Sequence, residues 1–189
     1  MTGKPAKVLL AAGANLPFGE NCPKLTLRHA VFALSQADVV IRAVSRFFST
    51  PCFPADAGPD YVNAAFEVET EADPETLLQM LHQIEHTFGR ARAQRWGMRT
   101  LDLDVVAWQN RVLPDRAEYD RWQSLPPERQ IKATPDRLIL PHPRLQDRAF
   151  VLVPLADIAP DWRHPVLGQT VREMLAALPD EDVSAVTPL

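Results

Sequence analysis

Residues 89–108, GRARAQRWGMRTLDLDVVAW, hold the densest chemistry in the chain. Arg90, Arg92, Arg95 and Arg99 have no acid among them and run directly toward Asp102 and Asp104. In a strand, residues i and i+2 project from one face, so the two carboxylates point together while Leu101, Leu103 and Val105 point into the core. Like charges on one face repel, and each raises the other's pKa unless a cation lies between them. Hard oxygen ligands of this kind suit Mg²⁺, which keeps several waters and is completed by substrate phosphates. The plain alternative is a polar strand face turned to water. The arginines weigh toward a ligand, because the planar guanidinium is the preferred donor to phosphate. An arginine loop beside a Mg²⁺-binding pair can grip a polyphosphate from both sides, the metal neutralising one set of oxygens and the guanidiniums the rest. The same loop, with Trp96 as a stacking platform, also reads as an RNA-binding patch.

Other polar residues say less one by one. Asn15 follows a strand end in AAGANL, and Tyr61 and Asn63 sit on a strand, where asparagine is a poor filler without a partner. His142 lies in LPHPRLQDRAF with Arg137, Arg144 and Arg148 nearby, a second arginine–histidine group that is more suggestive than a lone histidine. The chain has no G-x-x-x-x-G-K-[ST], so a nucleotide would not be held by a P-loop.

These residues must be positioned by regular elements. KVLLAAG reads as a short buried strand, and residues 25–37 carry apolar side chains at helical spacing, notably Leu27, Ala30, Val31 and Leu34. Residues 38–50 are rich in β-branched and aromatic types and read as one strand. In YVNAAFEVETE, Val62, Ala64, Phe66 and Val68 face one way and Asn63, Ala65, Glu67 and Glu69 the other. Asp73 as a cap, Pro74 in the first turn, a stripe of Leu77, Leu78, Leu81 and Ile84, and a terminal Gly89 delimit a second helix. TLDLDVVAW alternates again. The order is β-α-β-β-α-β, the split βαβ plan of α+β ferredoxin-like folds, with residues 148–159 and 169–178 as additional C-terminal helices. Residues 111–136 read as a long loop, and 179–189 as a frayed tail.

The composition bounds the class. A chain of 189 residues is most simply one domain, here with a core at about 7–178, and its 46% apolar content suffices for a real core. A formal charge of −4 provides no global field for nucleic acid or anionic membrane, which makes the arginine run a local feature. Cys22 and Cys52 match no zinc spacing, and no segment approaches the ~20 apolar residues of a spanning helix. The expectation is a cytoplasmic monomer that engages neither nucleic acid nor membrane.

RWGMRTLDLDVV closely resembles the signature of the 6-hydroxymethyl-7,8-dihydropterin pyrophosphokinase family, in which an arginine loop runs into a D-x-D strand. AAGANL, FFSTPCF, DYVNAAFEVET and LILPHPRLQDRAFVLVPLADIAP are similar to further stretches of that family, in the same order, over most of residues 7–178. The resemblance implies transfer of the β,γ-pyrophosphoryl unit of ATP to the pterin's hydroxymethyl oxygen, releasing AMP, in folate biosynthesis. It implies two Mg²⁺ ions bridged by Asp102 and Asp104, with Arg90 and Arg99 as the catalytic loop arginines. It places Leu78, Arg92, Val105, Arg137, Ile139, His142 and Arg148 at ATP, and Thr50, Phe53, Tyr61, Asn63, Trp96 and Phe150 at the pterin. A flat heteroaromatic ring needs aromatic faces for stacking and an amide to read its edge, which gives Asn63 a reason. Met98 and Cys52 stand where the family more often has proline, His82 where some members have glutamine, and Pro143 where some have tyrosine. These departures bear on nucleotide affinity and loop kinetics rather than on the reaction.

Two rival readings use the same residues. A ferredoxin-like RNA-binding module uses the arginine loop and Trp96 but leaves the aspartates without a role. A metal-dependent phosphodiesterase or nuclease uses the aspartates but not the aromatic–amide pocket. For the transferase no strong general base is needed, and the 90–99 loop is expected to be mobile without ligands because its charges repel.

Overall fold

Strand β1 (Ala6–Ala14) is the middle lane of an antiparallel sheet, paired with β4 (Tyr61–Thr70) on one side and β5 (Asp102–Trp108) on the other. The far side of β4 carries β2 (Val40–Val44) and β3 (Phe48–Thr50), the former along residues 66–69 and the latter along 61–63. A sixth strand, β6 (Thr187–Pro188), pairs with the outer edge of β3. The computed structural model describes residues 4–52, 58–89, 99–126, 129, 133 and 135–189.

Two helices cover one face. Helix α1 (Pro23–Ser35) starts with Pro23 in its first turn and buries Leu27, Ala30 and Leu34. Helix α2 (Pro74–Thr87) is capped by Asp73, whose carboxylate accepts the Thr76 N–H at 2.8 Å, and buries Leu77, Leu81 and Ile84. These side chains meet Val8, Leu10, Ala12, Ala64, Phe66, Val68, Leu101, Leu103 and Val105 in one cluster, so the alternation read in YVNAAFEVETE and TLDLDVVAW assigns the core face correctly. After α2, Gly89 adopts φ 74°, which a side chain rarely tolerates, and Phe18 lies 3.0 Å from where its Cβ would be.

The other face is covered by the C-terminal half. Helix α3 (Arg116–Gln123) comes first in sequence, then α4 (Ala149–Ile158), α5 (Val171–Ala176) and α6 (Asp180–Ser184). Helices α4 and α5 bury Val151, Leu152, Leu155, Val171 and Met174 against Leu9, Ala65, Val106 and Ala107 of the sheet. Thr170 and Glu173 form a reciprocal capping box that starts α5. Among the described residues, no helix is long and apolar enough to cross a membrane.

Three expectations are corrected. The segment 38–50 is two strands, because Ser45 interrupts the ladder: its Oγ accepts the Ala65 N–H at 2.9 Å. From Val44 to Phe48 is four steps, opposite three on β4 from Phe66 to Asn63. The extra residue turns Phe48 and Thr50 to the face opposite the one period-two alternation from Val44 would give. Within 111–136, α3 replaces part of the expected loop. Asp115 caps it by accepting the Glu118 N–H at 2.9 Å, and Tyr119 and Trp122 pack on Ile139. With so few apolar positions, α3 offered little periodicity to read. The supposed frayed tail is α6 followed by β6, with Val186 buried against Phe48 and Ala149.

Candidate active site

The sheet register assembles the site. Gly13 pairs with Asp102 on one side and with Asn63 on the other, and Phe48 pairs with Asn63 in the next lane. Two residues along β1, Ala11 lies between Asp104 and Ala65. All project from the face away from α1 and α2. The middle lane carries only a hydrogen and a methyl group, so the aspartate strand and the asparagine strand face each other across an open floor. Gly13 is required there: a Cβ at this position would fall 2.9 Å from Asn63 Oδ1.

On the β3–β4 side, Asn63 and Thr50 are each 6% exposed, and Asn63 Nδ2 donates to Thr50 Oγ1 at 2.5 Å. This bond turns the amide oxygen of Asn63 toward Gly13. Tyr61 pairs with Thr50, and burial pushes its phenol pKa up.

On the β5 side, Asp102 is in an ion pair with the Arg99 guanidinium. Arg99 is held through its backbone. Its N–H donates to Asn15 Oδ1 at 2.8 Å, and its carbonyl accepts the N–H groups of Asn15 and Leu16 at 2.9 and 3.0 Å. Asn15 Nδ2 also donates to Pro59 O at 3.2 Å, joining the start of β5 to the approach to β4. Between the aspartates, the outward N–H of Leu103 donates to Glu85 Oε1 at 2.7 Å. Glu85 of α2 is 1% exposed.

Asp104 lines a narrow cleft with Ala11, Val106, His142, Leu145, Arg148 and Val151. The His142 N–H donates to Val106 O at 2.8 Å, which pins the His142 segment to the bulged end of β5. Its Nδ1 accepts the Arg144 N–H at 3.1 Å, so the neutral ring carries its proton on Nε2. Burial, assisted by the Arg148 charge, pushes the imidazole pKa down to about 4, so the ring is neutral at physiological pH. Burial likewise lowers the pKa of Arg148, against the opposing pull of Asp104. The Arg148 guanidinium lies 5.7 Å from the centre of the Phe150 ring in the first turn of α4.

The structure therefore brings Thr50, Tyr61, Asn63, Arg99, Asp102, Asp104, His142, Arg148 and Phe150 onto one side of the sheet. Others fall elsewhere. The Val105 side chain is buried in the core on the opposite face, so only its backbone could meet a ligand on the aspartate side. Ile139 is buried with Tyr119 and Trp122, and the Arg137 side chain is exposed, 3.8 Å from Asp136. Leu78 is half-buried on α2. Phe53, Arg90, Arg92, Trp96 and Met98 lie outside the described residues.

Sequence reasoning gave Asn15 little weight and passed over Glu85 and Gly13. A signal existed for Glu85: it lies four residues after Leu81, on the buried stripe of α2, where an acid needs a partner. Asn15 gave none, because its partners are main-chain groups 44 and 84 residues away.

The donor set fits a divalent cation that takes few protein ligands. Asp102 and Asp104 supply carboxylate oxygens on one face, and among the described residues no group of three His, Cys, Asp or Glu could enclose a metal. Two carboxylates with room left for waters and phosphate oxygens is the pattern of Mg²⁺, not of a structural zinc.

Comparisons with known proteins give the family. A sequence model of a family described as 7,8-dihydro-6-hydroxymethylpterin-pyrophosphokinase (HPPK) matches residues 9–160. The 2-amino-4-hydroxy-6-hydroxymethyldihydropteridine pyrophosphokinase of Haemophilus influenzae is 35% identical over 181 residues, 95% of this chain and 97% of that protein. The protein of the same name from Pseudomonas aeruginosa is 37% identical over 179 residues, 94% of each. A relative of that name from Synechocystis is 39% identical over 131 residues, 69% of this chain, and the match spans 55% of the relative's length. Among solved structures, the wild-type Plasmodium falciparum HPPK-DHPS superposes with a TM-score of 0.61 at 16% identity, covering 92% of this chain and 41% of that one, a likeness of fold. By the family model and by these relatives, the chain belongs to the 7,8-dihydro-6-hydroxymethylpterin-pyrophosphokinase family of enzymes.

Proposed function

We propose that this protein transfers the β,γ-pyrophosphoryl group of ATP to the hydroxymethyl oxygen of 6-hydroxymethyl-7,8-dihydropterin, giving the pterin diphosphate and AMP. The observation that carries this reading is the row Asp102–Gly13–Asn63, which sets carboxylates for a metal-bound polyphosphate across an open floor from an amide for a heteroaromatic edge. The lane order of β5, β1, β4 and β2 with β3 supports the ferredoxin-like reading of the core. Family membership favours the transferase over the RNA-binding and nuclease alternatives.

The pterin hydroxyl oxygen attacks the β-phosphorus of ATP, the bond between that phosphorus and the α,β-bridging oxygen breaks, AMP departs, and the hydroxyl proton passes to solvent. Asn63 and Thr50 hold the pterin edge, and Phe150 offers a ring face, so the hydroxymethyl arm is directed toward β5. Arg99 and Arg148 stabilise the negative charge of the transferring group. His142, neutral with its proton on Nε2, donates a hydrogen bond to the nucleotide rather than a proton to the reaction. Asp102 and Asp104 would hold Mg²⁺, two ions in this reading, which supplies neutralisation of phosphate charge when bound. Arg90 and Arg92 on the phosphates, Trp96 and Phe53 on the pterin, and Leu78, Arg137, Ile139 and the Val105 backbone on the nucleotide complete the assignment.

The test is incubation of the protein with ATP, Mg²⁺ and the reduced hydroxymethylpterin, with nucleotide products resolved. AMP that forms only when the pterin is present is the expected result. Release of ADP, or AMP formation indifferent to the pterin, would overturn it.

A further inference from the structure

The ladder that presents Thr50, Tyr61 and Asn63 is very short. Strand β3 has only three residues, with Phe48 opposite Asn63 and Thr50 opposite Tyr61. What lies against the outer edge of β3 therefore matters for where Thr50 sits. That edge is occupied by β6: Ser49 pairs with Thr187, Phe48 pairs with Pro188, and the Leu189 N–H donates to Phe47 O at 2.9 Å. Just before β6, Val186 is 8% exposed and packs against Phe48 and Ala149, with Val153 and Leu178 beside it. Ala149 opens α4 and stands between Arg148 and Phe150. One valine thus shares a buried cluster with both walls of the proposed pterin side, the strand that leads to Thr50 and the helix turn that carries Phe150.

We propose that residues 186–189 are a positioning brace for pterin binding. Val186 sets the spacing between Phe48 and Ala149, and β6 fixes β3 so that the Thr50 hydroxyl stays on Asn63. An edge strand with no such role would serve only to cover open backbone groups. The brace is distinguished from that by the packing of Val186 across two elements that both carry site residues. It also lies apart from Asp102, Asp104 and the nucleotide side. The inference rests on the assignment of Thr50, Asn63 and Phe150 to the pterin.

The test compares Val186→Ala, Val186→Ile and a variant lacking residues 186–189 with the unaltered protein. The readouts are kcat, the KM values for pterin and for ATP, and calorimetric pterin binding in the presence of Mg²⁺ and a non-hydrolysable ATP analogue. Val186→Ala should weaken pterin binding and raise its KM by about fivefold, part of the cost of deleting two buried methyl groups falling on this local equilibrium. The KM for ATP and kcat should stay within about twofold. Val186→Ile should retain pterin binding, and removal of 186–189 should weaken it further than Val186→Ala. An unchanged pterin KM in the shortened variant would overturn the brace, as would parallel rises in both KM values, which mark general loosening. Failure of the unaltered protein to form AMP from ATP and pterin would instead overturn the functional assignment, and the brace with it.

Discussion

Asp102 and Asp104 share a face because strand side chains alternate, and their chemistry depends on what shares that face with them. The neighbours are the cations Arg99 and Arg148 and the neutral His142, a hydrogen-bond donor, which suit a polyphosphate beside the metal in the proposed reaction. Asp102→Asn or Asp104→Asn should therefore lower pyrophosphoryl transfer at ordinary Mg²⁺ by about a hundredfold or more, the scale of a lost electrostatic contact to a transferring group. Near-normal turnover in either variant would remove the pair from the mechanism. Gly13 makes a different kind of contribution, by having no side chain. Gly13→Ala places a methyl 2.9 Å from Asn63 Oδ1, and the overpacking should cost about 1–3 kcal/mol at that contact. With that amide on the pterin, as proposed, steady-state kinetics should show a larger rise in the KM for pterin than in the KM for ATP.

At the scale of elements, the site lies where chain segments distant in sequence are tied end to end. Asn15 is the knot: its side chain accepts from Arg99 and donates to Pro59, holding the end of β1 to the segments entering β5 and β4. Arg99→Ala should depress kcat more than pterin affinity, since its guanidinium is ion-paired with Asp102 of the proposed metal pair. Asn15→Ala removes the hydrogen bonds to the Arg99 N–H and the Pro59 carbonyl and should lower kcat by up to about tenfold, at the usual net worth of ~0.5–1.5 kcal/mol for such a bond. If Asn15 acts by placing Arg99, the two changes are not additive, and Asn15→Ala should do little in an Arg99→Ala background. Full additivity in kcat would sever that link. The bulge at Ser45 also rests on a distant partner, the Ala65 N–H, and it turns Thr50 to the same face as Asn63.

Across the whole molecule, the C-terminal half roofs the sheet, and its stability has a pH signature. His164 is fully buried, its Nδ1 accepts the N–H groups of Val166 and Leu167 at 3.2 Å, and Nε2 faces the Tyr119 hydroxyl at 3.2 Å. Burial lowers its pKa from 6.5 to about 4, so the folded protein does not take up the proton that the unfolded chain accepts below pH 6.5. Stability is full above that value and falls as the pH drops toward 4, by roughly 2 kcal/mol between pH 7 and 5 from this residue. His142 adds to the fall in the same direction. Urea unfolding at the two pH values should show the loss, and His164→Gln should reduce it; an equal loss in that variant would assign the dependence elsewhere. The sequence by itself determined β1, the first two helices, the core face of β4 and β5 and the shared side of the aspartates, because period and capping are local properties of the chain. Its motifs were specific enough to point to the family. Tertiary structure decided the rest. It put Asn63 in register with Gly13 and Asp102, flipped Thr50 through the Ser45 bulge, and buried Glu85 against Leu103. It also turned an apparent tail into an edge strand beside β3, and placed Ile139 in a cluster with α3. Each of these depends on a partner far along the chain, and no local pattern records which distant backbone group a side chain will meet.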